Sequence, residues 1–194
     1  MKKQLYFHGF YKDYNYGCFN DIEKEYRHGK TVETFNHIIM MLDTETSKSS
    51  DHTSIENHVC YFTLSGRING MNRFTMYGYK PTQAVDCVGK IHMSMSADKS
   101  IFYVHNLPYD WTFLRRFFFK KFGKPVKQLN VKPHYPIYIE FANGVILKDS
   151  LILAQRSLEK WGKDLKIEHQ KAVGYWDYNI IRNADYKYSD NEHH

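Results

Sequence analysis

The chain has 194 residues, enough for one domain with a hydrophobic core that needs neither disulfides nor a structural metal. Its 27 Lys and Arg against 21 Asp and Glu leave a net charge of +6, which favours a polyanionic partner or an anionic surface. An aromatic content of 16% with an ordinary charged fraction excludes a disordered tail, a collagen-like repeat and a coiled coil.

Residues 1 to 35 are rich in tyrosine and charge and show no clean period. They read as an N-terminal extension of open role: an added strand or helix on a sheet edge, or a partner-binding arm. The first core element is His37 to Asp43, a short continuous apolar run that predicts a buried central strand. Asn57 to Ser65 and Arg73 to Tyr79 are β-branched and aromatic stretches. The connection between them contains Asn69-Gly70, so they predict a hairpin. From Pro81 the period changes. Ala84, Val85, Val88, Ile91 and Met95 recur at helical steps, with proline well placed at the helix start. Ser100 to His105 predicts another buried strand, and Phe113, Leu114, Phe117 and Phe118 then mark the apolar stripe of a second helix. Val126 to Val131 predicts a strand. Ile137 to Phe141 and Val145 to Lys148 flank Asn143-Gly144, a strong hairpin signal. Ser157 to Leu165 reads as a helix with Leu158, Trp161 and Leu165 on one face. The order predicts an α/β, RNase H-like fold: a mixed sheet with three antiparallel strands, then parallel strands, and helices on both faces.

Cys18, Cys60 and Cys87 are widely spaced and include no Cys-x-x-Cys pair, so buried free thiols in a reducing cytoplasm are expected. The amino terminus lacks the unbroken apolar stretch of a signal peptide, and no segment approaches the ~18 apolar residues of a membrane span. The 11 histidines show none of the spacings of known zinc sites.

The chemistry lies in the carboxylates. Asp43 and Glu45 are two apart on a strand and so project from one face. Adjacent carboxylates repel, and a hard divalent cation is the ion that such oxygens hold. An isolated Asp-x-Glu is more often a solvated strand end. Asp110 changes the weighing, because it stands where the next buried strand passes into a helix, on the apolar face of that helix.

Asp43-Thr44-Glu45-Thr46, followed by His105-Asn106-Leu107-Pro108-Tyr109-Asp110-Trp111-Thr112-Phe113, resembles the first two exonuclease motifs of family B DNA polymerases of the protein-primed phage and plasmid type. Asp149-Ser150-Leu151 resembles the Ser-Leu segment that this family carries between its second and third motifs. The likeness spans about residues 38 to 182. It implies a metal-dependent 3′-to-5′ proofreading exonuclease of RNase H-like fold, with Asp43, Glu45 and Asp110 at metal-binding positions. The cofactor implied is magnesium or manganese in a two-metal site. Thr46, His105, Asn106, Tyr109, Phe113, Ser150 and Leu151 match contacts to a single-stranded DNA 3′ end. A polymerase portion and a terminal primer protein are the further partners implied.

The family's third motif is a tyrosine four residues before an aspartate in a late helix. Tyr186 and Asp190 fit that spacing and make Asp190 the candidate fourth catalytic acid. Aligning Gly174 to Tyr178 with the segment that precedes the third motif instead places the expected aspartate beyond His194. Ser189 to Glu192 then reads as the capping start of that helix, with serine as cap and glutamate three residues on. The domain of residues 36 to 194 is thus expected to be incomplete at its C-terminus. Lys160 and Lys171 both lie near the family's phosphate-stabilising lysine. The competing readings are a catalytically inactive relative that binds nucleic acid or a protein, and a plain interaction module.

Overall fold

The computed structural model of the chain describes residues 6–29, 31–36, 38–48, 57–68, 72–166, 176–182, 185–189 and 192. The first central strand, β4 (Ile39–Lys48), runs five residues beyond the expected Asp43. It is paired throughout with β5 (Asn57–Ile68), from Ile39 opposite Arg67 to Lys48 opposite Asn57, with a bulge between Glu45 and Thr46. Apolar content ends at Leu42. The strand continues because the ladder with β5 satisfies its backbone, which a hydrophobic pattern does not report. β6 (Asn72–Gly78) completes the expected hairpin with β5 in antiparallel register. The Asn69-Gly70 connection lies outside the described residues.

Helix α1 (Pro81–Ser94) starts on its proline and buries Ala84, Val85, Val88 and Ile91, as the spacing predicts. β7 (Ser100–Val104) leads into α2 (Leu107–Phe122), which buries Leu107, Asp110, Trp111, Leu114 and Phe118. Phe113 and Phe117, expected on the apolar stripe, are only half-buried and flank it. β8 (Lys127–Lys132) and β9 (Tyr135–Glu140) pair antiparallel, and β9 pairs antiparallel with β10 (Val145–Asp149) around Asn143-Gly144. Two short helices follow, α3 (Leu151–Ala154) and α4 (Leu158–Asp164), the latter capped by Ser157, whose Oγ accepts from the Lys160 amide. The expected apolar face of α4 is largely open, with Leu158 37% and Leu165 60% exposed.

Residues before 36 add β1 (Tyr6–Phe10), which lies parallel to β6 at one sheet edge, and a separate antiparallel ribbon, β2 (Lys24–His28) with β3 (Val32–Asn36). Tyr11, Phe19 and Ile22 belong to the same buried core as Met40, Phe62, Phe74 and Phe102.

The eight-stranded sheet has the order β1-β6-β5-β4-β7-β10-β9-β8, the mixed RNase H-like arrangement. β4, β7 and β10 are mutually parallel, so their carboxyl ends share one edge of the sheet. β4 is laddered to β7 only at Met40 and Met41. β7 ends at Val104, one residue past that ladder, so Asp43 and Glu45 on β4 lie beyond the end of β7, at the kind of crevice where open α/β sheets place ligands. α1 and α2 pack against each other on one face of the sheet, over Phe62, Leu64, Phe102 and Leu147.

Gly144 illustrates how tightly the β9–β10 turn is built. Its φ is +92°, and a Cβ there would lie 1.8 Å from the Asp98 carbonyl oxygen. Gly144→Ala therefore meets both left-handed strain and a backbone clash, and a loss of about 3 kcal/mol or more is expected in chemical denaturation.

Candidate active site and nucleic-acid interface

Asp43 and Glu45 stand on one face of β4, as alternation requires, with Asp43 exposed and Glu45 half-buried. Thr44, between them, turns to the other face and donates its hydroxyl to Asp110 Oδ1 at 2.5 Å. Asp110 is 3% exposed. Burial pushes its carboxyl up to about 7; the Thr44 hydroxyl pulls it down and the charge of Asp43 pushes it further up. Asp43 and Asp110 therefore sense each other electrostatically although they arise 67 residues apart.

The turn between β7 and α2 is fixed from β10. Asp149, 6% exposed, accepts the Asn106 amide on Oδ1 at 3.1 Å and the Leu151 amide on the same oxygen at 2.9 Å. Asn106 adopts the left-handed conformation, φ 68°, which asparagine tolerates. His105 Nδ1 lies 3.2 Å from Ser150 Oγ, and the Ser150 amide donates to the Val104 carbonyl. His105, Asn106, Ser150 and Leu151 are thus drawn together at the carboxyl edge. Thr46 and Tyr109 are joined by their hydroxyls at 3.0 Å, and the Tyr109 and Phe113 rings meet edge to face at 5.3 Å.

Sequence reasoning missed three groups. Asp149 was visible only as the first letter of its motif, although an acid at the end of a buried strand needs amide donors. Tyr178 donates its hydroxyl to Glu45 Oε2 at 2.9 Å across 133 residues of sequence. Burial and this bond push the phenol up to about 12. Arg182, 1% exposed, carries no local signal at all.

Arg182 is the anchor of the C-terminal segment. Its Nε and Nη2 donate to Glu192 Oε1 at 2.9 and 2.7 Å, and Nη1 donates to the Asp177 and Ile180 carbonyls. Its amide donates to Ser47 Oγ, its carbonyl accepts from His58 Nε2, and its guanidinium lies 4.0 Å from the Trp176 ring centroid. Glu192 also reaches back to the Ser189 amide at 2.9 Å, the contact that the capping pattern requires. Tyr186 spends its hydroxyl on Glu192, and Tyr188 stacks on Tyr79 at 4.7 Å. Asp190 and Lys171 lie outside the described residues; Lys160 is exposed on α4.

Burial works against the Glu192 charge, but the Ser189 amide, Arg182 and the Ser189 and Tyr186 hydroxyls outweigh it and hold the carboxyl at about 2. A depressed folded pKa gives stability that is present above the unfolded value of 4.5 and lost as pH falls toward 2. The segment should therefore loosen from β4 and β5 in that window, followed by Trp176 fluorescence. Glu192→Gln should loosen it already at neutral pH.

The donors suit a hard divalent cation by chemistry: three carboxylates, one of them buried beside another's charge. As they stand, Glu45 is turned to Tyr178 and Asp110 to Thr44. Among the described residues no three His, Cys, Asp or Glu side chains close on a point that could hold a metal ion. No helix among them is long and apolar enough to cross a membrane.

No family model and no curated protein matches the sequence. Solved structures do match the fold. Phi29 DNA polymerase complexed with single-stranded DNA superimposes with a TM-score of 0.62 at 17% identity, over 80% of this chain and 28% of that one. The ternary complex of Phi29 DNA polymerase with primer-template DNA and incoming nucleotide gives 0.60 at 17%, over 80% and 27%. The likeness is one of fold, and this chain spans under a third of the polymerase it resembles.

Proposed function

We propose that the chain is a metal-dependent 3′-to-5′ exonuclease domain of the protein-primed family B polymerase type, acting on a single-stranded DNA 3′ end. The observation that carries this reading is the buried Asp110, bonded to Thr44 and sensing Asp43. It lies at the same sheet edge as the His105, Asn106 and Ser150 cluster. The fold shared with a polymerase solved in complex with single-stranded DNA supports it.

Asp43, Glu45 and Asp110 would hold magnesium or manganese. When bound, such ions supply Lewis acidity for the attacking water and the leaving 3′ oxygen. The chain's own groups do the positioning. Thr44 aims the Asp110 carboxylate, Asp149 locks the Asn106 turn and Leu151, and the Thr46 to Tyr109 contact holds the Tyr109 ring beside Phe113. Exposed aromatic faces of this kind stack on unpaired bases without regard to sequence, each worth about 1 to 3 kcal/mol. Asp190, four residues after Tyr186, is the proposed fourth acid. A polymerase portion and a terminal primer protein are its proposed partners, and the cytoplasm its proposed place.

The test is a labelled oligonucleotide with an unpaired 3′ end, incubated with the protein in magnesium and in manganese. Stepwise shortening from the 3′ end is expected. That the three acids do not close on one point favours a second reading, a relative that binds single strands without cutting them. Binding that persists in chelator, with no shortening in either metal, would select it.

A further inference from the structure

A cavity of about 1050 Å³ lies between α2, the start of α1, the first residues of β5 and the C-terminal segment. Small-molecule sites usually measure about 300 to 1,000 Å³, so the space suits a ligand of generous size. None of Asp43, Glu45 and Asp110 lines it, and neither does any other Asp or Glu among the described residues. It is therefore a chamber apart from the carboxylate site.

Its charge is of one sign. Arg115 and Arg116 line it from α2, Lys80 from just before α1, and Lys187 from the C-terminal segment. All four are exposed, and no carboxylate among the described residues joins any of them in an ion pair. The amino end of α1 adds to this wall through Thr82 and Gln83. The first turn of that 14-residue helix carries no acidic residue, and its cap Lys80 makes no side-chain bond to it, so the positive end of the helix is unanswered. The cavity is aromatic as well. Phe117 is half-buried on α2 with the Arg116 guanidinium 4.7 Å from its ring centroid, and Tyr79 and Tyr188, stacked on each other at 4.7 Å, line another wall. Cations around a free helix end recognise phosphate, and flat ring faces recognise a base.

Lys187 is fixed from both sides. Tyr186 before it is bonded to Glu192, and Tyr188 after it donates to the Cys60 carbonyl. A ligand that touches α2 and Lys187 together ties the C-terminal segment to the helices.

We propose that this cavity binds a nucleoside triphosphate as a ligand that is not a substrate. Its phosphates lie on Arg115, Arg116, Lys80, Lys187 and the amino end of α1, its base lies against Phe117, and its binding fastens the C-terminal segment. The assignment is independent of the nuclease reading, since no metal, carboxylate or 3′ end takes part.

The experiment is titration calorimetry in chelator with three probes: dATP, inorganic tripolyphosphate and deoxyadenosine. The proteins compared are the parent, Arg115→Gln/Arg116→Gln, Phe117→Leu, and a charge-matched control at two exposed lysines outside the cavity, Lys12→Gln/Lys132→Gln, each checked for its fold by circular dichroism. The parent should bind dATP at least about tenfold more tightly than tripolyphosphate, because only dATP has a base to stack, and should not bind deoxyadenosine. The arginine variant should lose at least about tenfold for both anions, Phe117→Leu only the advantage of dATP, and the control neither. With dATP at about 100 times its Kd, hydrogen exchange at the Arg182 and Ser189 amides should slow by up to about 100-fold, as expected of a ligand that binds only the docked segment. No binding of dATP by the parent, dATP no tighter than tripolyphosphate, or equal loss in the control overturns the site. So does a thymidylate oligomer of about 16 nucleotides that displaces dATP at a concentration below the Kd of dATP, which would give the cavity to a strand. Binding that leaves exchange at both amides unchanged overturns the fastening.

Discussion

Asp43→Ala should lower 3′-end shortening by about a thousandfold or more, equivalent to about 4 kcal/mol of barrier, while leaving the fold intact. Asp43 is exposed, so its removal opens no buried cavity. Its charge is nevertheless one of the forces that raise Asp110. Loss of Asp43 takes one of three carboxylates from the proposed cation site and leaves the dication's charge and hydration less completely offset. The measurement is single-turnover cleavage in saturating manganese beside a thermal melt of each protein. Parent-like shortening by both Asp43→Ala and Asp110→Ala would exclude these acids from the chemistry.

The second large effect is on stability. A carboxyl whose folded pKa is about 7 keeps its proton in the folded protein at pH values where the unfolded chain, near 3.8, has released it. Folding is therefore favoured at low pH by this group, and that advantage drains away as pH rises from about 4 to about 7. The full span is on the order of 4 kcal/mol. Asp110→Asn stays neutral and keeps an acceptor for the Thr44 hydroxyl. In chelator it should match the parent near pH 4 and exceed it above pH 7, by up to about that amount, in urea denaturation. Millimolar manganese at pH 8 should then raise the melting temperature of the parent and not of Asp110→Asn. A parent whose stability is flat across that pH range would show that Asp110 carries an ordinary, solvated carboxylate.

Much of this architecture was legible in the sequence, and the reasons are local. The central strand, the β5–β6 hairpin, α1, α2 and the β9–β10 hairpin declare themselves through period and turn chemistry, as does the Asn143-Gly144 turn. Asp43, Glu45 and Asp110 stand out as candidates because strand alternation and the strand-to-helix junction fix their directions. What stayed hidden depends on distant partners. β4 continues to Lys48 because β5 ladders it, not because Ser47 or Lys48 is apolar. The β2–β3 ribbon has no strict alternation, since Phe35 alone of its strand residues is buried and the rest are half-buried or exposed. Tyr178 and Arg182 meet Glu45 and Ser47 across more than 130 residues, a pairing that no spacing rule encodes.

That same separation governs the order in which the molecule is made. The sheet from β4 to β10 closes through loops of modest length, whereas Arg182 on Ser47, Tyr188 on Cys60 and Tyr178 on Glu45 each close a loop of more than 125 residues. Loops of that span are paid for in chain entropy before any contact repays them. The C-terminal segment is thus the last part to dock, both in refolding and during synthesis from the amino end. A partly made chain can hold a complete core while Glu45 still waits for its phenol.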